Sequence, residues 1–100
     1  MERKLYELNG YKVYIEKTKY QYNGRLAVQA YIVEDDGWVE PYGTITVNLP
    51  NEQITDKDCG FVDENNMPFI SEWLEENGLA EITGRIGMSG YCFYSEMRFK

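Results

Sequence analysis

The side chains of this 100-residue chain with chemical potential are carboxylates and two thiols. Histidine is absent, which removes the commonest general base and the commonest zinc ligand together. Asp56-Lys57-Asp58-Cys59-Gly60 has the alternating acids of a calcium loop. Such a loop needs glycine at its sixth position and glutamate at its twelfth, where this chain has Phe61 and Met67. Gly84, Gly87 and Gly90 are spaced G-x-x-G-x-x-G, whereas a dinucleotide fingerprint is G-x-G-x-x-G between a strand and a following helix. Ser89, in Gly-Met-Ser-Gly, is no nucleophile elbow and has no histidine to activate it. Paired carboxylates can do acid–base work, as in glycoside hydrolysis. Here the acids are so many that close pairs arise by chance, and nothing singles one out. Cys59 and Cys92 form no C-x-x-C pair and read as small apolar groups, Cys92 especially, between Tyr91 and Phe93. The expectation is a non-enzymatic protein with no metal and no cofactor.

The carboxylates matter more as a field than as catalysts. Net charge is −7, but residues 34–81 hold thirteen Asp and Glu against one base, Lys57, while both ends of the chain are basic. Glu72, Glu75 and Glu76 lie on the outer face of a helical segment, the last two where the helix dipole is already negative. No lysine four residues on offsets them. Local stability does not account for such placement; a solvated surface or a docking surface for a basic partner does. The candidate contacts are Glu34, Asp35, Asp36, Glu40, Asp56, Asp58, Asp63, Glu64, Glu72, Glu75 and Glu76. Lys12, Lys17, Lys19 and Arg25 can form a small basic patch on the first hairpin, but the acidic middle opposes an extended duplex, so direct nucleic-acid binding is not expected.

The elements that must position these groups follow from periodicity. Asn65–Gly78 carries the one helical pattern: Met67, Ile70 and Leu74 form a stripe widened by Phe69 and Trp73. Asn66 is the expected N-cap, Pro68 suits the first turn, and Gly78 the left-handed C′ position, with Leu79 folding back on Leu74. Tyr11–Lys19 and Arg25–Val33 flank Asn23-Gly24, a strong hairpin signal. A two-residue loop there pairs Ile15 with Ile32. It puts Val13, Ile15, Leu26, Val28, Ala30 and Ile32 on one face, and Tyr14, Tyr20, Tyr22 and Tyr31 on the other. Lys17 and Lys19 then fall on the apolar face, a conflict that a bulge or a longer loop would resolve.

Asp36-Gly37 marks a second turn, and Pro41 argues for an edge or a bulge in the strand after it. In Thr44–Leu49, Ile45, Val47 and Leu49 are expected inside and Thr44, Thr46 and Asn48 outside. Pro50–Gly60 reads as loop and Phe61-Val62 as a short strand. Ala80–Ile86 and Tyr91–Phe99 read as a final hairpin turning at Gly87, Ser89 and Gly90, with Ile82, Ile86, Tyr91, Phe93 and Phe99 for the core. The whole reads as one α+β domain over residues 1–100, an antiparallel sheet of hairpins with one amphipathic helix packed across a face. No apolar run reaches the ~20 residues of a membrane span. The start, MERKLYELNG, has no apolar signal region, so the cysteines are expected reduced in a cytoplasmic protein.

Three segments, Glu40–Pro50 (EPYGTITVNLP), Phe61–Asn66 (FVDENN) and Glu76–Tyr94 (ENGLAEITGRIGMSGYCFY), resemble the small bacterial domain of unknown function numbered 4313. The resemblance covers roughly the C-terminal two-thirds; Ser95 stands where the family is associated with proline. It implies a protein carried by plasmids, conjugative elements and phages, and brings no catalytic residues. In that context the acidic surface suggests an inhibitor that blocks the basic nucleic-acid cleft of a host defence nuclease, of anti-CRISPR or anti-restriction type. The partner is then a basic protein surface. The alternative is an accessory or structural module of such an element, binding through Tyr14, Tyr20 or Tyr31. Either can act as a monomer or as a homodimer joined at the edge strand near Pro41.

Overall fold

A computed structural model describes residues 3–100. Its elements are β1 (Tyr6–Leu8), β2 (Tyr11–Lys19), β3 (Leu26–Val33), β4 (Val39–Thr44), β5 (Thr46–Val47), β6 (Cys59–Val62), α1 (Ile70–Glu76), β7 (Ala80–Ser89) and β8 (Cys92–Phe99). They form two antiparallel four-stranded sheets, in the orders β1-β2-β3-β4 and β5-β6-β8-β7. The sheets meet at Ile45, fully buried between β4 and β5, whose N–H donates to Val28 O while its carbonyl accepts from Asp63 N–H. The chain is therefore mostly antiparallel sheet with one short helix, the coarse form of the expected α+β architecture.

The helix is seven residues long and starts later than its sequence suggests. Asn66 does not cap it. The Asn66 backbone N–H and Nδ2 both donate to Asp63, closing a separate turn before Ile70, and Phe69 precedes the helix without a side-chain cap bond. The far end is as expected: Gly78 has φ +68°, and Leu79 N–H reaches back to Leu74 O. Met67, Ile70 and Leu74 are buried against Val28, Ala30, Ile45, Val62, Met97 and Phe99 from both sheets. Trp73 extends the contact to the first sheet, its Nε1–H donating to Glu7 O at 2.7 Å and its ring edge-on to Tyr6.

The first hairpin differs from expectation by two residues. Lys19 pairs with Leu26 and Ile15 with Ala30, closed by a four-residue loop, Gln21–Gly24. A two-residue shift keeps every side chain on its expected face. Lys17 and Lys19 therefore stay on the apolar face, and the longer loop does not remove the conflict. Both are exposed, although Lys17 stands opposite the fully buried Val28 and Lys19 opposite the half-buried Leu26. On the other face Tyr14 stacks on Tyr31 at 5.1 Å, with the Arg3 guanidinium 4.1 Å over the Tyr14 ring. Pro41 lies in β4, the edge of the first sheet, beside a bulge in which Tyr42 is the extra residue.

Two other expectations are corrected. Thr46 is buried rather than outward, because its Oγ1 accepts Val28 N–H at 3.0 Å and lies 2.9 Å from the Tyr20 hydroxyl. In the last hairpin only Phe99 of the five expected core residues is buried; Ile82, Ile86, Tyr91 and Phe93 are exposed. They share the helix-facing side with Met97 or sit at the turn, and a seven-residue helix does not reach that far along β7 and β8. The turn is Gly90-Tyr91, and Gly87 belongs to β7.

Candidate functional site

Two clusters of charge lie at opposite ends of β3. At the C-terminal end of β3, Asp35-Asp36-Gly37 makes a three-residue turn closed by Glu34 N–H to Trp38 O and Gly37 N–H to Glu34 O. Gly37 supplies the positive φ, +88°, that such a turn requires. Asp36 Oδ1 accepts the Trp38 N–H at 2.9 Å and fixes the exit of the chain. The result is a stiff platform that presents Trp38, 67% exposed, beside Glu34, Asp35 and Asp36 in an open depression of about 480 Å³. Glu40 completes the cluster from β4. Partial desolvation, a hydrogen bond shared with Glu40, and the charges of Glu40, Asp36 and Asp35 push the Glu34 carboxyl above its ordinary value. Lys12 borders an adjoining groove with Glu34 and Asp35, but among the described residues the ion pairs are Arg3–Glu16 and Arg98–Asp56. Glu34 thus faces three other carboxylates, and among the described residues no cation bridges them.

The other candidate acids divide by what they already do. Asp56 pairs with Arg98 at 2.9 Å and accepts the Asp58 N–H, and its carboxyl is held below the ordinary range, first by Arg98 and then by Asp58 N–H. Asp63 holds Asn66, as described above. Glu64 accepts Ser95 N–H at 2.7 Å, and Glu75 reaches Ile82 N–H at 3.4 Å along the edge strand β7. These contacts explain why carboxylates stand there: each supplies an acceptor to a backbone or side-chain donor that the sheets leave open. Glu72 and Glu76 are exposed on the helix, and Asp58 lies across the molecule beside Lys57. The eleven acids are not one surface; Glu34, Asp35, Asp36 and Glu40 are the set brought together.

One carboxylate escaped sequence reasoning altogether. Glu96 is fully buried in β8; its Oε1 accepts the hydroxyls of Thr55 (2.6 Å) and Thr83 (2.5 Å), and its Oε2 the Thr55 N–H (2.8 Å). Burial pushes it up, but those hydrogen bonds, with the charge of Arg85, outweigh burial and leave the carboxyl below its ordinary value. It ties the Pro50–Asp58 loop to the irregular middle of β7, a structural task. Cys59 is equally enclosed, and burial pushes its thiol up to about 11, far from a nucleophile's range.

At the opposite end of β3, Lys17, Lys19 and Arg25 gather with Lys57 around a cavity of about 390 Å³. Lys12, grouped with the first three by sequence, is at the acidic end instead. β3 spans eight residues, so the two charged ends lie roughly 24 Å apart along it. No helix among the described residues is long and apolar enough to cross a membrane. Neither the curated proteins nor the solved structures contain a match to this chain. Residues 14–100 match the family model described as a domain of unknown function, DUF4313, and the chain belongs to that family.

Proposed function

We propose that this protein is a non-enzymatic binding protein whose β3–β4 end docks on the basic surface of a nucleic-acid-binding partner. The reading extends to an inhibitor carried by a mobile element that fills the cleft of a host defence nuclease. One observation carries it: an exposed tryptophan on a stiff turn, set among four carboxylates that no cation bridges among the described residues. Tryptophan in a charged rim is a typical anchor of protein interfaces. A cationic surface that arrives relieves the mutual repulsion among the carboxylates, so docking gains what folding gives up. The alternative module that binds through tyrosines draws less support. Tyr14 is 8% exposed and covered by Tyr31 and Arg3, and the Tyr20 hydroxyl is engaged with Thr46.

The test is capture of partners from a bacterial lysate, followed by cleavage assays with CRISPR and restriction nucleases. The expected result is a complex formed at ~0.1 M salt and lost at ~0.5 M, where screening shortens to a few Å. Trp38→Ala, or Asp35→Asn with Glu40→Gln, should abolish it without changing the melting temperature. A complex indifferent to those substitutions would overturn the reading.

A further inference from the structure

We propose that the concave N-terminal end of β3 binds a nucleotide, its phosphates held by Lys17, Lys19, Arg25 and Lys57 and its base seated on Leu26 and Ile54. The cavity's cations come from three places in the chain, and sheet register is what brings them together. Lys17 and Lys19 point to the same face as Leu26 because Lys17 pairs with Val28 and Lys19 with Leu26. Lys57, the single base of residues 34–81, arrives from the β5–β6 loop. That loop is fixed by Asp58 N–H to Asp56 Oδ1, Cys59 N–H to Asp56 O, Phe99 N–H to Asp58 O, and the Asp56–Arg98 pair.

Arg25 is set by Nη1 donation to Leu49 O at 2.8 Å, and Lys17 Nζ by donation to Lys100 O. Lys19 and Lys57 make no side-chain hydrogen bond or ion pair with another described residue. In a chain with seventeen carboxylates, four of the ten Lys and Arg converge here, with Asp58 the single acid in the lining. Gathering like charge is unfavourable unless an anion completes the site. A cavity of about 390 Å³ exceeds what a bare phosphate fills and lies in the range of small-ligand pockets. Its apolar floor suits the face of a base, and Asp58 can accept from a ribose hydroxyl. Carboxylates elsewhere on the molecule repel a long polyanion, which favours a single nucleotide over an extended strand.

Isothermal titration of the full chain with ATP, and separately with pyrophosphate, at low salt tests the assignment. Saturable one-to-one binding of ATP is expected, with pyrophosphate at least tenfold weaker because it leaves Leu26 and Ile54 uncovered. Lys19→Gln with Lys57→Gln should weaken ATP at least tenfold while circular dichroism and melting stay unchanged, since both side chains are exposed. No saturable heat with millimolar ATP would overturn the site. So would equal affinity in the double variant. Pyrophosphate binding as tightly as ATP would remove the base seat, and tighter binding of single-stranded DNA would replace the nucleotide with a strand.

Discussion

Replacing Glu96 isolates what one buried carboxylate does for this fold. In Glu96→Ala, Thr55 N–H and the Thr55 and Thr83 hydroxyls all lose the carboxylate, and Thr83 keeps only the residue 96 carbonyl, at 3.4 Å. Hydrogen bonds to a charged group contribute about 1.5–3 kcal/mol each. Burying the charge offsets part of that sum, and water can reach Thr55, which is exposed. The net loss should be about 2–4 kcal/mol, or about 10–25 °C in Tm for a domain of this size. Glu96→Gln keeps the shape: its oxygen can take the Thr55 N–H while its amide faces the two hydroxyls, which then act as acceptors. It loses only charge assistance, about 1–2 kcal/mol.

The pH dependence supplies an internal control. The folded carboxyl is below its ordinary value of 4.5, so its stabilisation is complete above about pH 4.5 and fades as pH falls through the folded value. Acid therefore brings the wild type towards Glu96→Gln, and the gap between them should shrink below pH 4.5. Urea unfolding at several pH values, followed by tryptophan fluorescence, measures both effects. If Glu96→Ala lies within about 0.5 kcal/mol of wild type, or the gap to Gln is constant from pH 7 to 3, the network is not stabilising and the reasoning fails.

Two further predictions concern groups the sheets enclose. Gly87→Ala places a Cβ 2.7 Å from the Phe61 ring and 2.8 Å from Leu49 Cδ1; Phe61 is fully buried, so the variant should lose about 1–3 kcal/mol in urea unfolding. In the native protein iodoacetamide should label Cys92 and leave Cys59 unmodified, because Cys59 is fully buried with its thiol at about 11. Intact mass should show one adduct until denaturant is added; rapid labelling of Cys59 would contradict its enclosure.

What the sequence made legible was periodic. The helix stripe of Met67, Ile70 and Leu74 and the Gly78 stop are local, and their physics is complete within a few residues. The faces of the first hairpin were legible although its register was not, because a two-residue slip preserves alternation. The helix start was not legible, since Asn66 has two possible tasks and Asp63 decides between them. Ile86 and Phe93 look like core in any alternating pattern. Only the length of the covering helix leaves them in solvent, and alternation carries no information about that. Glu96 fails in the opposite sense. It sits in line with Tyr94 and Arg98 and reads as an outward acid, but an aperiodic loop brings Thr55 over that face and buries it. Of the sites, the acidic turn was visible as a charge run. The cationic cavity was visible in part, as a small basic patch of Lys17, Lys19 and Arg25 with two lysines on an apolar face, but Lys57 reaches it from a loop whose path has no period.

The charge of the molecule acquires a direction from this sorting. Much of the acidic middle is engaged internally: Asp56, Asp63, Glu64 and Glu75 meet donors within the protein. Glu34, Asp35, Asp36 and Glu40 gather at one end of β3, and Lys17, Lys19, Arg25 and Lys57 gather at the other. On the proposed reading, a field with that polarity would orient an approaching basic surface before contact, so that the β3–β4 turn arrives first. Docking in that orientation leaves the concave end facing away. The two ends are separated by roughly 24 Å along the strand, more than twice the ~10 Å screening length at 0.1 M salt. Phosphate bound among the lysines is therefore nearly invisible to the acidic turn. A partner at one end and a nucleotide at the other should bind independently unless the backbone of β3 itself moves, and β3 is held by pairing on both sides.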